Sequence, residues 1–565
     1  MTRQDRTFDA IVVGSGMTGG WAAMEFCRKG LRTLCLEAGR PIDPAKEYVE
    51  HVHPWELKFR GRGDKQRIAR EQPEQKYCYA CDEWSGKFFV NDLENPYTYP
   101  ADRPFRWIRG RHVGGRSIMW GRHVYRWSDL DFEANAKDGH GNDWPIRYAD
   151  IAPWYDHVER FIGICGQAEG LAQLPDGQFL PPMSLNVAEQ AVRERLMSAF
   201  GGQRVMTPGR CAVITQRHNG RSACHYCGHC EAGCVTRSYF SSVNVTLPAA
   251  QATGKLTLRT HSVVESVVYD ARTGKARGVR VIDANTGEAT EYQGRVVFLC
   301  ASALESVRLL LNSRSTRWPE GLANSSGLLG KYIMDHTMGA GARGRVEGFE
   351  NRREIGRRPH GFYLPRFANV KSSTPDFLRG FAYQGGASRA DWNRGSGMPG
   401  FGAEFKRALI QDLAPWEINF YGFGECLPRV ENHVRLDAVK KDRWGIPALH
   451  IDVTYGPNEE KVYQVTQDEA ARMLEAAGVK DIRTYREEGV YPGLVIHEMG
   501  GARMARTSRD GVLNQWNQCW DVPNLFVTDG ACMASSANQN PSITYMALTA
   551  RAVDHAVASM NRNEL

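Results

Sequence analysis

Residues 8–30 read FDAIVVGSGMTGGWAAMEFCRKG, and this stretch decides the fold. The apolar run at residues 8–13 predicts a buried strand, and the alanine-rich run after residue 17 predicts a helix. Between them, Gly14, Gly16 and Gly19 form a G-x-G-x-x-G pattern. Gly14 permits a tight turn, Gly16 lets the backbone approach a pyrophosphate, and Gly19 allows close packing of helix on strand.

The next apolar run, TLCLEAGR at residues 33–40, predicts a second strand that ends in Glu37. A carboxylate at this position can accept a hydrogen bond from a ribose hydroxyl. The N-terminus of the intervening helix offers N–H groups and the positive end of its dipole to phosphates. Strand, glycines, helix and acid occur in order, so the stretch predicts dinucleotide binding, without separating NAD from FAD.

A segment in the middle of the N-terminal third favours FAD. Residues 102–127 read DRPFRWIRGRHVGGRSIMWGRHVYRW. Gly114 and Gly115 let the backbone run close to a flat ring, because they carry no side chain. Ser117 can donate a hydrogen bond to that ring.

A C-terminal segment gives a second indication of FAD. Residues 524–551 read NLFVTDGACMASSANQNPSITYMALTAR, which predicts a strand ending in Asp529 and Gly530, a polar loop, and a helix opened by Asn540 and a proline. Proline suits the first helical turn, and the helix N-terminus would stabilise negative charge on a reduced flavin. Asp529, Gly530 and Thr544 are candidate contacts to the cofactor.

Four cysteines are concentrated at residues 224–234, in the string CHYCGHCEAGC. Cys224, Cys227, Cys230 and Cys234 have the C-x2-C-x2-C-x3-C spacing of bacterial iron–sulfur proteins. Zinc pairs keep a longer spacer, so they fit less well, although zinc or structural thiols stay open. Val235 replaces the proline that usually follows. A flavin beside such a cluster indicates an enzyme that oxidises a substrate and exports electrons singly. Cys78 and Cys81 form a separate pair that is more typical of a structural role.

Composition excludes several classes of protein. The net charge of +7 is small for 565 residues, and the basic residues are scattered, so nucleic-acid binding is not expected. No apolar stretch reaches the roughly 18 residues of a membrane span. The N-terminal string MTRQDRT is not a signal peptide, so export would require another protein.

The motifs together resemble the glucose–methanol–choline (GMC) oxidoreductases. The resemblance rests on GSGMTGG (14–20), RGRHVGGRSIMWG (109–121), VVFLCASALESVRLLLNS (296–313), HEMGGARM (497–504) and the segment at 524–552. It implies that FAD is the cofactor, that His497 is the catalytic base with Asn540 as its partner, and that Val264 lies on the adenine side. Some sugar oxidases of the family attach FAD to a histidine; here Met119 stands at that position, which implies non-covalent FAD.

Within this family, the cysteine run is similar to that of sugar dehydrogenases whose catalytic subunit carries FAD and an iron–sulfur cluster. Their C-x5-C-x3-C set holds a three-iron cluster, and Cys224, Cys230 and Cys234 reproduce it, so [3Fe-4S] is favoured over [4Fe-4S]; Cys227 could hold a fourth iron. Residues 163–183, GICGQAEGLAQLPDGQFLPPM, resemble glucoside 3-dehydrogenases. This implies oxidation at C3 of a glucosyl unit in a sugar or glycoside substrate.

Alternatives stay open for the reaction. They are a gluconate 2-dehydrogenase, a glucose dehydrogenase acting at the anomeric carbon, an oxygen-using pyranose or glycoside oxidase with structural cysteines, and an electron-transfer flavoprotein without its own substrate. The resemblance further implies a small companion subunit that carries an export signal, and a cytochrome c-type electron acceptor. The expected location is periplasmic, with membrane contact only through partners; a cytoplasmic location is the alternative.

The predicted fold class is α/β (α+β overall). A Rossmann-like FAD-binding domain at residues 1–125, 220–335 and 500–565 is interleaved with a substrate domain at 126–219 and 336–499, built on a mostly antiparallel sheet. Residues 383–402, YQGGASRADWNRGSGMPGFG, show no periodicity and predict an irregular loop, either a lid over the site or a surface excursion.

Overall fold

The computed structural model describes residues 6–53, 56, 64–82, 84–354, 356–374, 376–390, 392–411 and 414–565. The helices in these ranges are α1 Met17–Arg28, α2 Pro44–Glu47, α3 Lys65–Glu71, α4 Asp129–Phe132, α5 Ala134–Asp138, α6 Tyr148–Ile162, α7 Val187–Ala199, α8 Leu247–Gln251, α9 Ala303–Asn312, α10 Gly402–Gln411, α11 Pro457–Ala476 and α12 Ser542–Asn561.

The strands in the same ranges are β1 Thr7–Val13, β2 Thr33–Leu36, β3 Ile164–Cys165, β4 Phe179–Leu180, β5 Thr207–Pro208, β6 Leu256–Arg259, β7 Ser262–Asp270, β8 Lys275–Asp283, β9 Ala289–Leu299, β10 His336–Val346, β11 Phe362–Leu364, β12 Phe381–Arg389, β13 Trp416–Glu425, β14 His433–Lys441, β15 Pro447–Asp452, β16 Lys480–Arg486 and β17 Leu525–Val527.

The first large sheet has the strand order β6-β2-β1-β9-β8-β7, with β17 also paired to β9. Strands β6, β2, β1, β9 and β17 run parallel, and the β9-β8-β7 side is antiparallel. The parallel strands are nearly continuous apolar runs because both of their faces are covered. Ala10, Ile11 and Val12 are fully buried, for example. Three distant parts of the chain therefore build one nucleotide-binding sheet, as the interleaved organisation predicts.

The turn from β1 into α1 is closed by two glycines. Gly14 has φ +96°, and a Cβ there would lie 2.4 Å from the carbonyl oxygen of Cys300. A Cβ on Gly19 would lie 1.9 Å from the carbonyl oxygen of Gly14. Gly16, in contrast, has no atom within 4 Å of its Cβ position. Helix and strand can thus approach only because Gly14 and Gly19 carry no side chain.

The second large sheet is antiparallel, with the order β16-β10-β13-β12-β11-β5. Side chains alternate between its two faces. Ile418, Phe420 and Tyr383 are buried in a core that includes residues of α7 and α11. Gln384 and Tyr421, from the same strands, are only partly buried. The predicted fold class is confirmed: a parallel nucleotide-binding sheet is combined with an antiparallel second sheet.

The prediction of an irregular loop at residues 383–402 is wrong for its first part. Strand β12 pairs with β13 residue by residue from Phe381 to Arg389. Its glycines reflect close packing rather than a loop, since a Cβ on Gly385 would lie 2.3 Å from the ring of Phe362 and 2.2 Å from the carbonyl oxygen of Asn419. A 3-10 turn and helix α10 follow, and Asp391 lies outside the described residues.

The boundaries of the two predicted domains stay a prediction. Helix α6, assigned to the substrate domain by sequence, packs on α1 and α12 of the nucleotide-binding part. The rings of Trp21 in α1 and Phe161 in α6 are 5.5 Å apart. Among the described helices, none is long and apolar enough to cross a membrane.

Replacing Gly19 by alanine should destabilise the fold itself. The new Cβ would clash with the carbonyl oxygen of Gly14, and overpacking of this kind costs about 1–3 kcal/mol. We expect Gly19→Ala to lower the Tm of protein stripped of bound nucleotide by several degrees. Gly16→Ala is the matched control and should leave that Tm unchanged, because its Cβ position is open. Equal Tm values for the two variants would contradict the packing argument.

Candidate active site

A cavity of about 720 Å³ is lined by residues of both sheets. Its walls come from the β1–α1 turn, residues 107–123, strands β12 and β13, residues 494–498 and the start of α12. Segments that are hundreds of residues apart in the chain therefore share one site.

One end of the cavity has the features of a nucleotide site. Glu37 and Val264 both line it. The buried Glu37 carboxylate accepts hydrogen bonds from Ser15 N at 3.2 Å, Ser15 Oγ at 2.6 Å and Gly39 N at 2.9 Å. Burial raises the pKa of Glu37, and the Ser15 hydroxyl opposes that rise. Helix α1 has no side-chain cap, so its first N–H groups remain available for a phosphate.

The remaining residues predicted to contact a flavin divide into two groups. Those that line the cavity are Gly14, Gly16, Gly115, Ser117, Asp529 and Gly530. Gly19, Gly114 and Thr544 do not line it. Gly114 N donates a hydrogen bond to Ser15 Oγ at 3.0 Å, so it stabilises the β1–α1 turn. The buried Thr544 hydroxyl lies 2.8 Å from Tyr155 OH, which ties α12 to α6 instead of contacting a ligand.

These features fit FAD. The cavity joins the uncapped helix and the Glu37 carboxylate at one end to the polar residues at the start of α12 at the other. Met119 lines the cavity where a covalent attachment residue would stand. A thioether offers no such bond.

At the other end, the structure brings His497 and Asn540 together. Asn540 Nδ2 lies 3.3 Å from His497 Nε2, and both side chains line the cavity. Asn540 lies two residues before the start of α12, with Pro541 at the N-cap. Gln384 Nε2 donates to Asn540 Oδ1 at 2.6 Å, so the amide of Asn540 is oriented with its N–H toward His497.

His336 fixes the tautomer of His497. His336 Nε2 lies 3.0 Å from the carbonyl oxygen of Ser536, which can only accept, so this nitrogen carries the proton. Burial lowers the pKa of His336 to about 4, so the ring is neutral and its Nδ1 is bare. Nδ1 of His336 lies 2.9 Å from Nδ1 of His497 and therefore accepts its proton. The lone pair of His497 is left on Nε2, beside Asn540.

The environment keeps His497 neutral. Burial, followed by the positive charge of Arg116, lowers the pKa of His497 well below its ordinary value. Asp335 fixes the backbone of the loop at residues 493–497: its carboxylate accepts hydrogen bonds from Gly493 N at 2.7 Å and from His497 N at 3.3 Å. A neutral imidazole with its bare nitrogen directed at an amide N–H can accept a proton from a bound hydroxyl.

The predicted metal-binding cysteines line a second, smaller cavity. Cys224, Cys227, Cys230 and Cys234 all contribute to it. Two turns with positive φ, at Gly228 (+72°) and Gly233 (+109°), fold the loop around it. Burial raises the pKa of Cys224 to about 11 and that of Cys230 to about 12. In the described ranges, no group of three or more His, Cys, Asp or Glu side chains is arranged to hold a metal ion.

Iron–sulfur clusters are held by cysteine thiolates; the four thiols line one cavity, but in the described ranges they are not placed as a ligand set for a metal. The two cavities adjoin. Pro359 lines both, and Glu231, next to Cys230, lines the larger one. Arg122 is 3% exposed, and its Nη2 lies 3.5 Å from Glu231 Oε1.

Several residues of the site were not identified from the sequence. His336 lies in the string IMDHTMG, where an Asp-His pair before a strand was the available signal. Gln384 was placed in a loop because its strand is rich in glycine. Others that line the cavity are His123, His360, Tyr421, Phe423 and Glu487. Cys78 lines the cavity as well, whereas Cys81 is partly exposed.

Comparison with known proteins gives a consistent result. Residues 8–338 and 428–549 match the N-terminal and C-terminal family models described as GMC oxidoreductase. The 2-methyl-1,2-propanediol dehydrogenase of Mycolicibacterium austroafricanum is 31% identical over 98% of this chain and 96% of its own length. The fructose dehydrogenase large subunit of Gluconobacter japonicus is 24% identical over 98% of each chain.

Among solved structures, pyridoxine 4-oxidase from Mesorbium loti superposes with a TM-score of 0.60 at 16% identity, covering 97% of this chain and 99% of its own. That likeness concerns the fold. The family matches cover the nucleotide-binding sheet together with His497 and Asn540, and they leave residues 339–427 unmatched. The chain therefore belongs to the GMC oxidoreductases, FAD-dependent enzymes that act on CH–OH groups of alcohols and sugars.

Proposed function

We propose that this protein is a sugar dehydrogenase that oxidises a secondary alcohol, at C3 of a glucosyl unit. The observation that carries the dehydrogenase chemistry is the bare Nε2 of His497, held beside Asn540 Nδ2 at 3.3 Å in the cavity. When bound there, FAD would supply the acceptor for the hydride of the carbinol carbon, which carries both electrons.

The side chains have separate roles in this proposal. His497 Nε2 accepts the hydroxyl proton as general base. Asn540 donates its amide N–H to the substrate oxygen, where negative charge develops as the proton leaves. His336 and Gln384 do not touch the substrate; they position His497 and Asn540 through the hydrogen bonds at 2.9 Å and 2.6 Å.

We further propose that FAD is bound without a covalent link, and that Cys224, Cys230 and Cys234 hold an iron–sulfur cluster, with [3Fe-4S] favoured over [4Fe-4S]. The adjoining cavities support this, since Pro359 lines both. A cluster beside the substrate cavity would pass electrons onward one at a time. An oxygen-using oxidase with structural cysteines is the second candidate.

The substrate assignment has two supports. The segment at residues 163–183 resembles glucoside 3-dehydrogenases, and relatives over the full chain include a fructose dehydrogenase large subunit and a diol dehydrogenase. Fructose is a polyhydroxylated sugar, whereas 2-methyl-1,2-propanediol carries one primary and one tertiary hydroxyl, so only the fructose dehydrogenase supports a sugar substrate. Gluconate 2-dehydrogenase and anomeric-carbon glucose dehydrogenase are the alternatives within the same chemistry.

The proposed partners follow from single-electron export. We infer a small companion subunit that carries an export signal and a cytochrome c-type acceptor, with the enzyme in the periplasm and at a membrane only through these partners. A cytoplasmic location is the alternative. The name of the fructose dehydrogenase large subunit implies a multi-subunit enzyme in that relative.

Substitution of His497 tests the base. His497→Ala should lower kcat/KM by roughly 10²–10⁴ fold with FAD still bound, since this is the usual contribution of a general base. His336→Phe removes the acceptor for His497 Nδ1–H and should cost less, with a changed pH profile. His433→Ala, outside the cavity, is the control. Stopped-flow flavin reduction measures each rate, and near-normal turnover of His497→Ala would reject the assignment.

The pH dependence has a definite direction. Because burial holds the pKa of His497 well below its ordinary value, the neutral base persists as pH falls through about 6.5. The acid limb of kcat/KM for the wild-type enzyme should therefore lie below that pH. A limb centred at an ordinary histidine pKa would show that His497 is not desolvated in the working enzyme.

Metal and flavin analysis tests the cofactors. Acid precipitation should release all FAD, and the protein should contain about three or four irons and acid-labile sulfide per chain. Cys230→Ser should lose the iron while keeping FAD, and Cys81→Ser is the control. Cys227→Ser separates the two cluster types, because only a three-iron cluster survives it. A zinc-only protein, or iron unchanged in Cys230→Ser, would refute the cluster.

A substrate panel tests the carbon oxidised. Methyl glucoside and sucrose have no free anomeric hydroxyl, so anaerobic bleaching of the flavin by either one requires oxidation elsewhere on the ring. We expect both to bleach it, and product NMR to place the ketone at C3. Bleaching by free glucose or gluconate alone would favour the anomeric-carbon or gluconate alternative. Comparable rates with oxygen and artificial acceptors would favour an oxidase.

A further inference from the structure

One wall of the substrate cavity is a face of the antiparallel sheet. Gln384 of β12 and Tyr421 of β13 are cross-strand partners, and both line the cavity. Phe423, two residues further along β13, lies on the same face, with its ring 5.7 Å from that of Tyr421. Aromatic rings next to polar side chains form a surface on which a sugar ring can stack.

Glu487 completes this wall at the end of β16. Its backbone N–H donates to the carbonyl oxygen of Gly339 at 2.7 Å, which fixes its position beside β10. The side chain lines the cavity and is exposed. Tyr421 OH donates to Glu487 Oε2 at 3.1 Å. Burial and the charge of Glu487 raise the pKa of Tyr421, so the phenol stays protonated and keeps donating.

The carboxylate of Glu487 has no cationic partner within the described residues. Nearby cations are engaged elsewhere: Arg486 pairs with Glu460 at 2.7 Å, and Arg343 lies 3.8 Å from Glu417. A carboxylate has about four acceptor sites, and the tyrosine uses one. Because Glu487 lines the cavity and is exposed, the others are open to O–H or N–H donors of a ligand or of water.

This carboxylate is connected to the reacting site. Tyr421 is the cross-strand partner of Gln384, and Gln384 donates to Asn540 at 2.6 Å. A ligand whose hydroxyl lies between His497 and Asn540 can therefore extend along the sheet face toward Glu487. The wall has a negative charge where the rest of such a ligand would lie.

We propose that Glu487, oriented by Tyr421, forms a subsite that accepts hydroxyl donors of a neutral sugar ring and excludes anionic substrates such as aldonates and uronides. This rests on the proposed sugar oxidation and goes beyond it, because it assigns a charge to the substrate class. The like charge of a substrate carboxylate and Glu487 gives the discrimination.

The test compares two glycosides that differ in charge at one position, methyl glucoside and methyl glucuronide. Dissociation constants are measured by flavin spectral perturbation in a His497→Ala background, so that binding is read without turnover; kcat/KM is measured with the base intact. Glu487→Gln keeps the shape and removes the charge. It should reduce the preference for the neutral glycoside by about tenfold at low ionic strength.

Two further variants make the result specific. Glu488→Gln, the adjacent exposed carboxylate that does not line the cavity, should leave the preference unchanged. Tyr421→Phe keeps the ring and frees the carboxylate, so it should weaken binding of the neutral glycoside without reversing the preference. High salt should shrink the preference of the wild-type protein and have little effect on Glu487→Gln.

The outcomes separate the subsite from the proposed function. Equal discrimination by the wild type and Glu487→Gln overturns the subsite and leaves the oxidation proposal intact. Charge-dependent binding that is lost in Glu487→Gln, without turnover of any glycoside when His497 is present, supports the subsite and rejects oxidation of the glucosyl unit. If the protein binds neither glycoside, both are overturned.

Discussion

A chain of hydrogen bonds joins four distant segments of this protein and defines its reacting site. It runs from the carbonyl oxygen of Ser536 through His336 to His497, and from there through Asn540 to Gln384. Only the first link has an unambiguous direction, because a carbonyl cannot donate. That one constraint sets the proton on each later nitrogen, so the base, its tautomer and the orienting amide are fixed together.

The same chain of hydrogen bonds links residues that belong to, or pack near, both sheets. His336 begins β10 and Gln384 lies in β12, both in the antiparallel sheet. Asn540 precedes α12, which packs on α1 against the nucleotide-binding sheet. The segments that carry these residues alternate along the chain with the segments that build the nucleotide-binding sheet. The close packing of Gly19 against Gly14 fixes the nucleotide-binding end of the cavity. The hydrogen bonds fix the end that contains His497 and Asn540.

The sequence predicted the local chemistry better than the long-range contacts. Gly14, Gly16 and Glu37 could be identified because one turn and the strand after it carry the whole pattern. The antiparallel sheet could be expected only from the family resemblance. The sequence did not predict strand β12, because its Gly385 is required by close packing against Phe362, and the sequence does not show that contact. His336, Gln384 and Glu487 act through partners more than 60 residues away, and such pairings leave no local periodicity. Thr544 is the opposite case: it lies in a recognised motif, yet the motif did not predict the hydrogen bond between its hydroxyl and that of Tyr155.

The desolvation of His497 has a mechanistic consequence. Burial weakens the imidazole as a base, because the imidazolium would lie near Arg116 in a site of low polarity. Proton transfer from a hydroxyl to such a base is unfavourable until negative charge enters the same cavity. The electrons that leave the substrate bring that charge, and it raises the proton affinity of His497 Nε2. In the proposed mechanism, proton and hydride departure are therefore coupled by electrostatics: Asn540 stabilises the charge that develops on the substrate oxygen, and His497 holds the proton once the substrate is oxidised. The proposal therefore makes the proton affinity of the buried His497 depend on the charge that the cavity holds.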